Sequence, residues 1–203
     1  PTINYETKEK LHADLRESYR REREQEKERY HNEIIGYHGS EEGLETLLGY
    51  QLFSIGNRAD SAALVYQVDY VLDGYVKKAG TNFVLSVGRL IGSQPELKGE
   101  QRLRKEDIYW EMPRCYQWDI TVNLPEGYRI SPEGLERLNV KVENDCGAFI
   151  VQATTEDGTL RIKAEKRINH KTEPVANWEK LLEITDAANS YEALSIVFQA
   201  TNN

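Results

Sequence analysis

Covalent and acid–base chemistry in this 203-residue chain would fall to two cysteines, four histidines and the carboxylates among 34 acidic residues. A thiol nucleophile needs its thiolate beside an imidazole, commonly at a helix N-terminus, where the thiol pKa is lowered. Cys146 lies in "VENDCGAF", with Glu143 and Asp145 before it and Gly147 after it, and it opens the strand-like run "AFIVQAT". Neighbouring negative charge raises a thiol pKa. Cys115, in "PRCYQW", has Arg114 beside it, which favours the thiolate slightly, yet reads best as a small buried residue. His12, His31 and His38 fall in or just after a helical pattern, and His170 follows a strand in "RINHKTEP", so no spacing ties a histidine to either thiol. Cys146 is expected to be a turn-to-strand residue. The alternative is a thiol-dependent hydrolase or acyltransferase that uses Cys146 with one histidine.

Metal and phosphate chemistry find no pattern. His31 and His38 are seven apart with Gly36 between them, outside any His-x-x-x-His or Cys-x-x-Cys spacing. The carboxylates of "ENDCG" and "TTEDG" do not follow the spacing of a calcium loop, and turn chemistry accounts for Asn144, Asp145 and Asp157. "VGRLIGSQPELKG" lacks the Lys-Ser/Thr pair of a nucleotide loop. No cofactor and no metal is expected. Twelve tyrosines and three tryptophans against four phenylalanines leave aromatic contact as the remaining chemistry, since Tyr and Trp join a flat apolar body to a polar handle. "IYWEMPRCYQW" gathers Tyr109, Trp110, Tyr116 and Trp118, the candidates for a glycan- or peptide-binding face. Strand alternation puts Trp110 with Ile108 and Met112 on a core face and turns Tyr109 outward beside Glu111.

The elements that must carry these residues divide into three zones. Residues 6 to 35 have no proline or glycine, hold apolar groups at Leu11, Leu15 and Tyr19 and again at Tyr30 and Ile34, and predict one long helix. Eight acidic and eight basic residues between Glu6 and Arg29 largely neutralise one another along it. Its first end is expected to meet something outside the sheet domain, an upstream domain or a second copy, and its Tyr30/Ile34 end to anchor near Leu47. From residue 47 to about 170 the period falls to two. "ALVYQVDYVL", "NFVLSVGRLI", "EDIYWEM", "YQWDITVNL", "NVKVEN", "GAFIVQAT" and "TLRIKAEKRI" read as strands, and Asp157-Gly158 is the best hairpin signal. Trp118, Ile120, Val122 and Leu124 should share an inward face. "EPVANWEKLLEITDAANS" predicts a helix over 174–188 with Trp178, Leu181, Leu182 and Thr185 on its apolar side, before a last strand in "ALSIVFQ".

These zones predict a mainly β chain: an antiparallel β-sandwich over 46–203, preceded by the long charged amphipathic helix of 1–45 as a linker or docking element, with one C-terminal helix before the last strand. A net charge of −8 supplies no basic field for nucleic acid. No run approaches the roughly 18 apolar residues of a membrane span. The opening at Pro1 suggests either a cytosolic protein or a mature or excised piece.

"LPEGYRI" followed by "VENDCGAF", the Pro-x-x-x-Trp helix, "ALSIVF" and the earlier "VKKAGTNFVLSVGRLIG" resemble one known family. It is the C-terminal part of the domain-of-unknown-function modules that flank transglutaminase-like cores in exported proteins of Bacteroidetes-type bacteria. The resemblance implies a β-sandwich without assigned chemistry, an accessory or interaction module of a periplasmic or cell-envelope protein. An upstream transglutaminase-like domain of the same protein would be its partner and would carry any Cys-His-Asp site. Export would also place Cys115 and Cys146 in an oxidising compartment, where a disulfide between them is a further alternative.

Overall fold

The computed structural model describes residues 3–9, 44–55 and 63–201. The chain divides into two compact units, residues 1–74 and 75–203, whereas the sequence pattern alone set a boundary at 45/46.

In the first unit, β1 (Ile3–Glu9), β2 (Leu44–Ile55) and β3 (Leu64–Leu72) form an antiparallel sheet in the order β1-β3-β2. The long helix predicted over 6–35 is corrected at its start. Glu6 to Glu9 are extended and paired with Gln67 to Leu64, since strand pairing with β3 outweighs the helical propensity of a charged segment. Its remainder, 10 to 35, with both apolar ends, lies outside the described residues. The alternation read in "ALVYQVDYVL" holds: Tyr66, Val68 and Tyr70 are buried, while Val65, Gln67, Asp69 and Val71 between them are half-buried.

The second unit contains two four-stranded antiparallel sheets. One has the order β4-β5-β13-β8, built from β4 (Val76–Ala79), β5 (Asn82–Leu85), β13 (Ile196–Ala200) and β8 (Tyr128–Ile130). The other has the order β7-β11-β10-β9, built from β7 (Arg114–Asn123), β11 (Thr159–Ile168), β10 (Gly147–Glu156) and β9 (Val140–Asn144). A two-stranded ladder joins β6 (Ile108–Tyr109) to β12 (Thr172–Glu173). The β10–β11 hairpin turns at Asp157-Gly158, where both residues take positive φ (47° and 71°), as a two-residue hairpin loop requires. "SPEG" starts the short helix α1 (Pro132–Glu136), because the Ser131 hydroxyl accepts from the Gly134 amide at 3.0 Å and Pro132 fits the first helical position. The "EDIYWEM" strand shrinks to two residues.

The C-terminal helix, α2 (Trp178–Glu192), lies across β9 and β10 and covers that half of the sheet's inner face. Leu181, Leu182, Ile184, Ala188 and Tyr191 turn inward from it, and Phe149, Val151, Ala153, Leu160, Ile162, Ala164, Ile120 and Val122 are buried on the inner face of the sheet. The Tyr191 ring lies edge-on to Phe149, with centroids 5.7 Å apart. Burial of these side chains is the main source of stability, at about 1.5–3 kcal/mol for each large one. A loop straps α2 from outside. The Gln94 amide donates to Glu192 at 2.5 Å, Arg102 makes two 2.8 Å bonds to Asp186, and the Trp178 indole donates to the Arg102 carbonyl. The described residues are thus mainly β, in antiparallel sheets.

Candidate functional site

Two places hold the residues singled out by their chemistry. The first surrounds Cys146. The β9–β10 turn is closed by Asn144, whose side-chain oxygen accepts from the Cys146 amide at 3.0 Å while its amide nitrogen donates to the Lys180 carbonyl on α2. This fastening turns the Cys146 side chain under the sheet, fully buried, against Ile108 and Leu181, with Trp110, Ile168 and Trp178 around them. Beside it stands Glu173, a carboxylate only 2% exposed. One of its oxygens is 2.5 Å from His170 Nδ1 and the other accepts from the Asn177 amide at 2.8 Å. Burial alone would push the Glu173 carboxyl up, but hydrogen bonds from His170, Asn177 and the Cys146 thiol outweigh it, and its pKa lies below the ordinary value.

This order of groups works against thiol catalysis. A catalytic triad places the imidazole between nucleophile and carboxylate, so that the imidazole takes the nucleophile's proton. Here the carboxylate lies between thiol and imidazole. Burial raises the Cys146 pKa, and the charge of Glu173 raises it further. The structure brings Cys146 and His170 to one cluster and gives that cluster the wiring of a structural hydrogen-bond network.

Cys115 is elsewhere. It lies on the outer, exposed face of β7 opposite Arg167 of β11, while Cys146 packs under the inner face against α2. Both thiols are free, and the disulfide alternative is corrected: the sheet separates the two side chains, and a bond would need their Cβ atoms within about 4.5 Å. The expectation that Cys115 is a small buried residue is corrected as well, since it is exposed on the same face as Gln117 and Asp119.

The second place is aromatic. On β7, Tyr116 and Trp118 share the inner face with Ile120 and Val122, but α2 covers only the β9–β10 half of the sheet. Ile120 and Val122 are buried, Trp118 is half-buried, and Tyr116 is 48% exposed. The two rings stack with centroids 6.0 Å apart and planes 21° apart, presenting a flat strip. Lys166 of β11, paired with Tyr116, is held by the Gln94 side chain at 2.9 Å. Tyr109, 63% exposed as expected, stands apart under the Lys171 ammonium at 5.2 Å. Trp110 packs into the Cys146 core, in line with its core-face reading, whereas Met112, read onto the same face, is exposed. The four aromatic candidates therefore separate into one stacked pair, one exposed tyrosine and one core tryptophan.

Sequence reasoning missed Glu173 and Asn177. The available signal was His170 and Glu173 three residues apart just before Pro174, a pairing legible only once the segment is known to bury its carboxylate. Among the described residues no group of histidines, cysteines and carboxylates is arranged to hold a metal ion, and no helix is long and apolar enough to cross a membrane.

Residues 87–198 match the family described as a Domain of Unknown Function with solved-structure structure (DUF3858). No curated protein and no solved structure matches the chain.

Proposed function

The chain belongs to the DUF3858 family, and from that premise we propose that it is a non-catalytic accessory module that holds a glycan or an extended peptide on the strip formed by Tyr116 and Trp118. The single observation that carries this reading is the stacked, half-uncovered ring pair on an otherwise packed sheet face. Flat apolar rings with polar edges suit sugar faces and peptide side chains alike. The sequence resemblance extends the proposal. The module belongs to an exported bacterial cell-envelope protein, its two four-stranded sheets are the layers of a sandwich, and an upstream transglutaminase-like domain supplies the catalysis that the buried Cys146 does not.

Calorimetric titration of the full chain with soluble cell-wall glycan fragments, and separately with extended peptides, tests the proposal. The double substitution Tyr116→Ala/Trp118→Ala should weaken binding by about tenfold or more, from the loss of two stacking contacts. Tyr109→Ala should leave it unchanged. Equal affinity in the double variant, or no binding of either ligand class by the wild type, would overturn the strip as a binding site.

A further inference from the structure

We propose that two copies of this chain join edge to edge through β7, extending the sheet β7-β11-β10-β9 across a two-fold axis. This concerns the strand's edge rather than its ring-bearing face. An edge strand offers a row of free backbone donors and acceptors, and proteins ordinarily blunt such rows with short strands, lysine, proline or bulges. The other sheet edges of the second unit follow that practice among the described residues. β9 is five residues long and carries Lys141, β4 carries Lys77 and Lys78, and β8 is three residues long. β7 runs ten residues with neither lysine nor proline, and it pairs with β11 at every position without a register shift. Among the described residues no strand occupies its other side.

A second β7 fits this edge in one register. A two-fold axis perpendicular to the sheet keeps inner face beside inner face, so it must pass through a residue pair rather than between pairs. Only centring near the middle of Arg114–Asn123 uses nearly the whole strand. Centring on Asp119 would set two carboxylates directly opposite, which is destabilising. Centring on Trp118 places it against Trp118 of the partner subunit, Tyr116 against Ile120 of the partner subunit, and Gln117 against Asp119 of the partner subunit. The last pair sets the second hydrogen of the Gln117 amide, whose nitrogen donates to Glu165 at 3.0 Å within the chain, against a carboxylate on both sides of the axis. On the outer face Cys115 then lies opposite Thr121 of the partner subunit. Polar complementarity of the strand with itself, together with its unguarded length, selects a second copy as the occupant.

Sedimentation equilibrium of the full chain should give the mass of two chains. Gln117→Lys/Asp119→Lys sets lysines opposite lysines across the seam and should weaken association by about tenfold or more. Both positions are exposed, so circular dichroism should be unchanged. Under mild oxidation Thr121→Cys should give a disulfide-linked dimer through native Cys115, and Cys115→Ser in that background should abolish it. A single-chain mass at every concentration, a dimer that persists in the double-lysine variant, or no cross-link from Thr121→Cys would each overturn the proposal. The double-lysine variant keeps Tyr116 and Trp118, so loss of self-association and loss of ligand binding remain separate results.

Discussion

Glu173 is a carboxylate with almost no contact with water, kept ionised chiefly by His170 and Asn177, which also fix its surroundings. His170 follows β11 and Asn177 leads into α2, so one side chain ties two segments together. Replacing it by glutamine leaves donors facing an amide and should cost about 1–3 kcal/mol in denaturant unfolding. The pH dependence has a definite sign. The folded pKa lies below that of the unfolded chain, so the stabilisation is present above the unfolded carboxylate value and is lost as pH falls through the folded one. Wild type and Glu173→Gln should therefore differ most at neutral pH and converge in acid; a gap that stays constant down to low pH would refute the linkage. The two thiols should also separate by reactivity with iodoacetamide. Cys115 is exposed and reacts in the folded state above neutral pH, while buried Cys146 reacts only on unfolding. The acidic neighbours of Cys146 were legible in the sequence and gave the right direction for its pKa, although the largest cause, burial, was not. The aromatic quartet was legible as a group. Its separation was not, because strand alternation assigns faces without saying where a covering helix ends.

At the scale of elements, β7, β9, β10 and β11 were recovered from period-two patterns because apolar and polar residues alternate along much of each, whereas β8, at three residues, is too short to show such a pattern. Ile120 and Val122 lie inward with Thr121 and Asn123 outward, and the Asp-Gly turn has one favoured geometry. Local pattern misleads where a pairing partner decides the conformation. Glu6 to Glu9 are helix-compatible in isolation and extended beside β3. Close approaches were equally hidden. Gly88 donates its amide to the Leu194 carbonyl at 3.0 Å, and any Cβ on it would run into the Tyr191 and Glu192 carbonyls at the end of α2. Gly147 is the same kind of site: its Cβ would meet the Arg167 carbonyl of the neighbouring strand. Backbone cannot yield as a flexible side chain does. Gly88→Ala and Gly147→Ala should each destabilise by ~2–3 kcal/mol, whereas Gly80→Ala, with open space around it but positive φ, should cost only about 1 kcal/mol. Thermal unfolding of the three variants checks that order, and an equal loss at all three would show that backbone conformation rather than close packing governs Gly88 and Gly147.

For the whole molecule, the units 1–74 and 75–203 set the folding behaviour. The second has a core drawn from both of its four-stranded sheets and α2, from Leu85 and Phe198 on one sheet to Phe149, Ile162 and Ile184 at the other. Long-range hydrogen bonds tie its segments to one another: Gly88 to Leu194, Gln94 to Glu192, Arg102 to Asp186 and Thr201 to Gly127 all join residues beyond 75. A unit of this length with its own core is large enough to fold alone. The junction falls at the Asp73-Gly74 bend, where Gly74 takes a positive φ of 76° and, among the described residues, nothing lies within 4 Å of the position a side chain would take. A fragment of residues 75–203 should therefore give a single cooperative urea transition, with near-ultraviolet circular dichroism from its buried aromatic groups, and protect the Cys146 thiol as the full chain does. If the fragment exposes that thiol at neutral pH or unfolds without cooperativity, then residues 1–74 contribute to the stability of the second unit and the division at Gly74 is not a folding boundary.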